Sequence, residues 1–482
     1  MNVSRIATAA FTAAPGLAWS HAFDERYDLP APLSYFTVGA SVAVALSFLI
    51  AVLFVRESAP ASATHGRVVT LGPLLPLLRV TGATLSLLMF ALVIVAGIYG
   101  TSDPLMNAAP TLVWVLWWAG LSLLVACIGN IWPALDPWRT MFNGLDGLAR
   151  RLGRTRGIAL DFRWPRRTGP WPATALLLAL GWFELVYPQA AIPHKLACVL
   201  LGWSAVTLSG MILFGRDRWQ QHADVFAVYF ALLGRCAPVS AGPDSRSVVI
   251  RAPGSGLISS EPASVATVAF VMAMLSIVLF DGLLVGDLWQ VVQQTLARTF
   301  PPLADRHGHI LGITGLIGLW LLFLMAYLLT CSLTQRLVPE YSTTRIARLF
   351  ALTLLPIAVG YNIAHNTSTL VMQLQLLIPL ASDPLGLQWN LFGTVHHKPE
   401  IGLIDAQACW FIAVAAIVGG HVISIWLAHR VALRHFGNRL RAVAAAIPLA
   451  VLMVLYTSIS LSVIAEPLVT FTPPGMERAV EE

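Results

Sequence analysis

The chain has 482 residues, of which 57% are hydrophobic and only 11% charged, with 30 Lys plus Arg against 24 Asp plus Glu. Soluble domains carry roughly a quarter charged residues, so this composition, with a mean hydropathy of +0.73, excludes an ordinary soluble domain and predicts an all-α polytopic membrane protein. The basic balance does not point to nucleic acid: the arginines are spread over short loops on one side of the apolar runs, where membrane topology explains them.

Residues 1–20, MNVSRIATAAFTAAPGLAWS, combine a basic start at Arg5, a short apolar core and small residues at Ala18 and Ser20. They read as a signal peptide cleaved before His21. The alternative is an uncleaved amphipathic segment, because Pro15 interrupts the core. A mature chain beginning at His21 would present its terminal amine and imidazole together. Two such nitrogens chelate a metal, and copper and zinc accept imidazole. Otherwise His21 is simply the start of a polar external lead-in, 21–33, in which Pro30 and Pro32 stop any helix.

Ten apolar runs follow, near 34–55, 80–99, 110–132, 171–187, 195–214, 263–283, 309–331, 346–380, 404–427 and 442–465. Each approaches the roughly 20 residues that cross a bilayer. The fourth is short, and the eighth is long enough to bend. Together they predict a polytopic domain over 34–465 of about ten spans. Arg139, Arg150, Arg151, Arg154 and Arg156 follow the third run, Arg336, Arg345 and Arg348 the seventh, and Arg430, Arg434, Arg439 and Arg441 the ninth, while 101–109 and 188–194 have none. The positive-inside rule puts the arginine side in the cytoplasm. The mature N-terminus and the tail 466–482 then lie outside a bacterial inner membrane.

Within the inner segment 215–262, Val225, Phe226, Val228, Tyr229, Leu232 and Leu233 recur at helical spacing. This predicts an amphipathic or partly inserted helix on the cytoplasmic face, with His222 and Asp224 read equally well as part of a site or as a solvated helix start. The segment 284–308 predicts a short helix along the outer surface, and its His307 and His309 form a weak metal pattern. The five cysteines share no CxxC spacing and read as packing residues. No Walker A, Rossmann, HExxH or GxSxG pattern occurs.

Ionisable residues inside apolar runs carry the functional signal, because each costs a few kcal/mol or more in hydrocarbon. Glu184 and Asp281 fall near the outer ends of the fourth and sixth runs. In the eighth, Asn362, His365, Asn366, Thr369 and Gln373 are three or four apart and share a helix face. A start near Thr344 puts His365 near the outer surface. A start after Pro356 puts it mid-membrane, level with His421, where two imidazoles would suit a b-type haem.

The stretches HAFDERYDLPAPLSYF at 21–36, SDPLGLQWNLFGT at 382–394 and GGHVISIWLAHRVAL at 419–433 resemble a bacterial family of polytopic membrane proteins described as fenitrothion hydrolase-like. The resemblance extends over most of the chain, and its motifs are not catalytic signatures. It implies hydrolysis of an organophosphorus triester at the membrane, with a small apolar substrate arriving through the bilayer. It carries over no ligand set and leaves open whether a partner subunit is needed. Triester hydrolysis needs an activated water, which a divalent metal such as zinc, copper or manganese can supply. The residues that suit it are His21, Asp24 and His365 as ligands, with Glu184 and Asp281 as catalytic carboxylates. A haem-bearing redox subunit on His365 and His421, and a transporter or metal-handling protein using the same polar path, are the rival expectations.

Overall fold

A computed structural model describes residues 27–55, 66–165, 167–258, 261–301, 309–466 and 468–470. The signal-peptide reading, His21, Asp24 and His307 lie outside the described residues.

The chain is an all-α membrane protein. Helices α1 (Leu33–Phe54), α2 (Leu74–Tyr99) and α3 (Ala108–Cys127) are followed by α4 (Pro137–Arg151), α5 (Trp171–Leu185) and α6 (Pro193–Phe214). Two short helices, α7 (Arg216–His222) and α8 (Val225–Leu233), precede α9 (Val265–Val285) and α10 (Asp287–Thr299). The chain closes with α11 (His309–Leu337), α12 (Thr343–Ser382), α13 (Ala406–His435) and α14 (Arg439–Ala465). Among the described residues, nine of these helices are long and apolar enough to cross a membrane. The fourth apolar run forms α5, whose 15 residues span only about 22 Å, and α5 packs on α9.

Burial separates the lipid-facing helices from the axial one. Along α1, Leu46, Leu49, Ile50, Leu53 and Phe54 are exposed, as a bilayer requires. In contrast, α9 is apolar on every side and is buried from Ala266 to Gly282 almost without interruption. A helix hydrophobic all round belongs in a packed interior, and α9 contacts α5, α11, α12 and α14.

Backbone polar groups at the helix ends are met locally. Asn107, Ser264, Asp405 and Asn438 each accept a hydrogen bond from a first-turn N–H of the helix that follows. The long α12 is broken: Thr343–Phe350 is α-helical, Ala351–Leu354 tightens to a 3₁₀ turn, and the α-helix resumes over Leu355–Gln373. Pro356 has no N–H for the carbonyl four residues back, which accounts for the tightened turn.

Helices α12 and α13 approach most closely at two glycines. A Cβ at Gly360 would stand 2.3 Å from the Ala416 carbonyl oxygen, and one at Gly420 would stand 2.6 Å from the Pro356 oxygen. Small residues permit such contacts in membranes. We expect Gly360→Val to destabilise the bundle by about 1–3 kcal/mol through overpacking. Denaturant unfolding in detergent measures this, and an unchanged midpoint would contradict the close packing.

Two small sheets accompany the helices. Strand β1 (Tyr27–Asp28) pairs in parallel with β5 (Val469–Thr470), so both described chain ends meet at one end of the bundle. Strands β2 (Arg67–Thr70), β3 (Val239–Ala241) and β4 (Ser247–Ile250) form an antiparallel ribbon at the opposite, arginine-rich end. Of the two expectations for the segment 215–262, an amphipathic or a partly inserted helix, the burial of α8 agrees with the second. The run VFAVYFALL has no polar face, and α8 buries Val225, Phe226, Tyr229, Phe230, Leu232 and Leu233 against α3, α5 and α7. An aromatic cluster anchors it: Phe226 stacks on Trp138 at 5.9 Å, and the Trp138 indole donates to Ser204 Oγ at 2.8 Å. In the segment 284–308, residues 287–299 form the expected short helix, α10, with Trp289 buried against Phe280.

Candidate functional site

Three of the residues singled out by sequence converge. Glu184 is next to the last residue of α5, Asp281 lies in the final turns of α9, and His365 lies midway along the resumed helix of α12. All three line one cavity with Trp118, Tyr229, Asn362 and Asn366. The cavity offers about 50 Å³ to water-sized solvent.

The helix face read from the sequence positions the polar wall. Asn362, His365 and Asn366 are spaced three and four apart and all line the cavity. The helix starts at Thr343, and His365 Nε2 stands 2.7 Å from Asp281 Oδ2. His365 is the more buried partner, its side chain 9% exposed against 27% for Asp281. A hydrogen bond to an ionised partner is short and strong, and this one joins two helices whose other neighbours are almost wholly apolar. Tyr361, one turn earlier, lies 6.4 Å from the His365 ring in a near-parallel stack. Its hydroxyl is buried and has no hydrogen-bond partner among the described residues, and the same is true of Asn362 Oδ1. Buried polar atoms of this kind normally hold water.

Sequence reading missed the opposite wall. Trp118 lines the cavity with Glu184 and stacks on Tyr229 at 4.9 Å. It sits in a π-helical stretch, Thr111–Gly120, where the Leu121 N–H donates to the Leu116 carbonyl five residues back. Such widened turns recur at functional sites. The Trp-rich run TLVWVLWWAG was the only signal available, and it reads equally well as lipid-facing. Tyr229 arrives from α8, which sequence placed on the cytoplasmic face.

Other candidates lie elsewhere. His421 Nδ1 donates to the Ile417 carbonyl at 2.8 Å, and its ring meets Tyr456 edge-on at 5.5 Å. It does not line the cavity that His365 lines. Gly420, its neighbour, packs on Pro356, nine residues before His365, or about 13 Å along the helix. His222 stacks on Trp164, and Asp224 caps α8. Among the described residues, no three of His, Cys, Asp and Glu are grouped to hold a metal ion. Glu184 shares the cavity but does not complete a three-ligand set with Asp281 and His365.

Comparison with known proteins adds no relative: no family model, no curated protein and no solved structure matches the chain.

Proposed function

We propose that this chain is an integral membrane hydrolase in which Asp281 and His365 act together as an intramembrane base, on an organophosphorus triester of the fenitrothion type. One observation carries the reading: a 2.7 Å Asp281–His365 pair opens into a cavity shared with Glu184, inside a bundle of apolar helices. A carboxylate hydrogen-bonded to imidazole orients the ring and stabilises it once protonated. His365 removes a proton from a cavity water, the water oxygen attacks phosphorus, and the bond from phosphorus to the aryl oxygen breaks. The aryl oxide leaves with the electron pair. Glu184 and Asn366 hold the water by hydrogen bonding. An apolar triester reaches the site from the bilayer, in which it dissolves. The two chain ends and the Glu184 side of the cavity face outward from a bacterial inner membrane, as the arginine-rich opposite end supports.

This step uses only the chain's own acid and base. A bound zinc, copper or manganese ion is the form of the same reading in which His21 and Asp24 join His365, and metal analysis of the purified protein reads it directly.

Cavity size favours a second reading. Ligand pockets measure about 300–1,000 Å³, whereas this one holds a few waters, so a triester enters only if side chains move. A small cavity lined by a carboxylate–imidazole pair also suits a transporter that carries protons through Asp281 and His365. The two readings separate in one preparation. Purified protein in detergent is assayed with a nitrophenyl dialkyl phosphate triester, and the same protein in liposomes is assayed for proton flux. Nitrophenolate release above the protein-free rate supports hydrolysis, while flux without release overturns hydrolysis in favour of transport.

A further inference from the structure

A second, larger cavity opens on the arginine-rich face. It measures about 490 Å³ and is bounded by α4, α7, α8 and the start of α9. It is distinct from the cavity holding Asp281. Ala227, Val228, Ala231 and Leu232 of α8 line the larger cavity, whereas Tyr229 lines the one shared by Glu184 and His365. At 100° per residue Tyr229 projects about 130° away from the centre of that set, so α8 lies between the two cavities.

Arg139 and Arg235 give the larger cavity its chemistry. Among the described residues, neither takes part in an ion pair; the arginines that do are Arg150, Arg216, Arg218 and Arg441. Arg139 instead donates to the neutral Gln220 side chain at 3.1 Å. Two acids also line the space. Asp217 is neutralised by Arg216 at 2.8 Å, and Glu261 sits before α9. Ser264 and Thr267 add hydroxyls from the N-terminal turn of α9, where the helix dipole also favours an anion. A site with two guanidinium groups outside any ion pair among the described residues, two hydroxyls and room for a headgroup-sized ligand matches a phosphate oxyanion.

We propose that this vestibule is a phosphate-binding site on the arginine-rich face, taking either a free phosphate group or the phosphate of an anionic lipid. The proposal stands apart from the hydrolytic reading, because no residue of the Asp281–His365 pair lines the vestibule.

Thermal unfolding of the full chain in detergent tests it, with inorganic phosphate titrated against potassium chloride of equal ionic strength. Phosphate should raise the midpoint saturably. Arg235→Gln should weaken the apparent affinity by about tenfold or more, with Arg235→Lys retaining part of it and Arg139→Gln matching the loss. Arg235 is exposed, so its replacement should not impair folding if the Arg139 variant does. Arg441→Gln removes a remote arginine from the same face and should change nothing. Native mass spectrometry then separates the sources. Anionic phospholipid retained by the wild type, displaced by phosphate and lost in Arg235→Gln identifies lipid; phosphate stabilisation without retained lipid identifies a free ligand. No saturable phosphate effect together with no Arg235-dependent lipid, or an equal loss in Arg441→Gln, overturns the site.

Discussion

Asp281→Asn should lower triester turnover by about 10²–10⁴-fold while leaving the helical bundle folded. The amide is nearly isosteric with the carboxylate and can still accept a hydrogen bond from His365 Nε2, now 2.7 Å from Asp281 Oδ2. What it removes is the negative charge that stabilises a protonated imidazole, and general-base catalysis by a positioned group contributes about that factor. His365→Gln should produce a loss of the same size. The double variant should be no slower than either single variant, because each already disables the pair. Stability should respond less. Breaking a buried pair costs about 3 kcal/mol or somewhat less here, since Asp281 keeps contact with solvent. Initial rates with the nitrophenyl triester and unfolding midpoints on the same preparations provide both readouts. Full activity in Asp281→Asn would remove the dyad from the mechanism. Additive losses would mean that the two residues act separately.

The second large effect concerns stability against pH, outside the spanning helices. Asp224 is fully buried. One carboxylate oxygen accepts from the Phe226 and Ala227 N–H groups, each at 3.0 Å, while the other is buried without a partner among the described residues. Burial, with the Asp136 carboxyl nearby, pushes Asp224 up from 3.8 to about 8. Burial likewise pushes Asp136 up to about 6, opposed by the Arg139 backbone N–H, the Arg139 charge and the Gln220 amide. A carboxyl whose folded value is raised keeps its proton in the folded chain after the unfolded chain has lost it. Stability therefore falls as pH rises through the window from about 4 to about 8, and the full penalty is present above it. Asp224→Asn retains an oxygen for both capping bonds but has no charge to bury. It should match the wild type at the acid end and exceed it by about 1 kcal/mol or more at the alkaline end, flattening the slope. Unfolding midpoints across that pH window measure this. A variant whose slope parallels the wild type would show that Asp224 is not the titrating group.

Some of the site was legible because a physical rule allows little freedom. Asn362, His365 and Asn366 had to share a face once the run was helical, and in an apolar chain that face had to turn inward. The matching depths of Glu184 and Asp281 followed from counting residues from the arginine side. The partners of His365 were not legible. Helical spacing states which residues share a face but not which helix that face meets, and His421 fitted the same counting. In the structure His421 meets Tyr456 and the Ile417 carbonyl instead. Trp118 was hidden for a related reason, since a tryptophan in an apolar run looks the same whether it faces lipid or a buried carboxylate.

By itself the sequence determined the class of the molecule and where its apolar runs lie, because a helix satisfies its backbone bonds internally in hydrocarbon and local composition suffices to find such runs. The ten runs predict about ten spans, whereas among the described residues nine helices are long and apolar enough to cross. Tertiary structure decided that α5, too short to span unaided, packs on α9 and that α8 enters the bundle between two cavities. It also decided that a 2.7 Å contact joins α9 to α12. These outcomes depend on which apolar surfaces pack best against each other. In lipid no difference in hydrophobicity chooses between them, so shape, small residues such as Gly360 and Gly420, and the few buried hydrogen bonds make the choice.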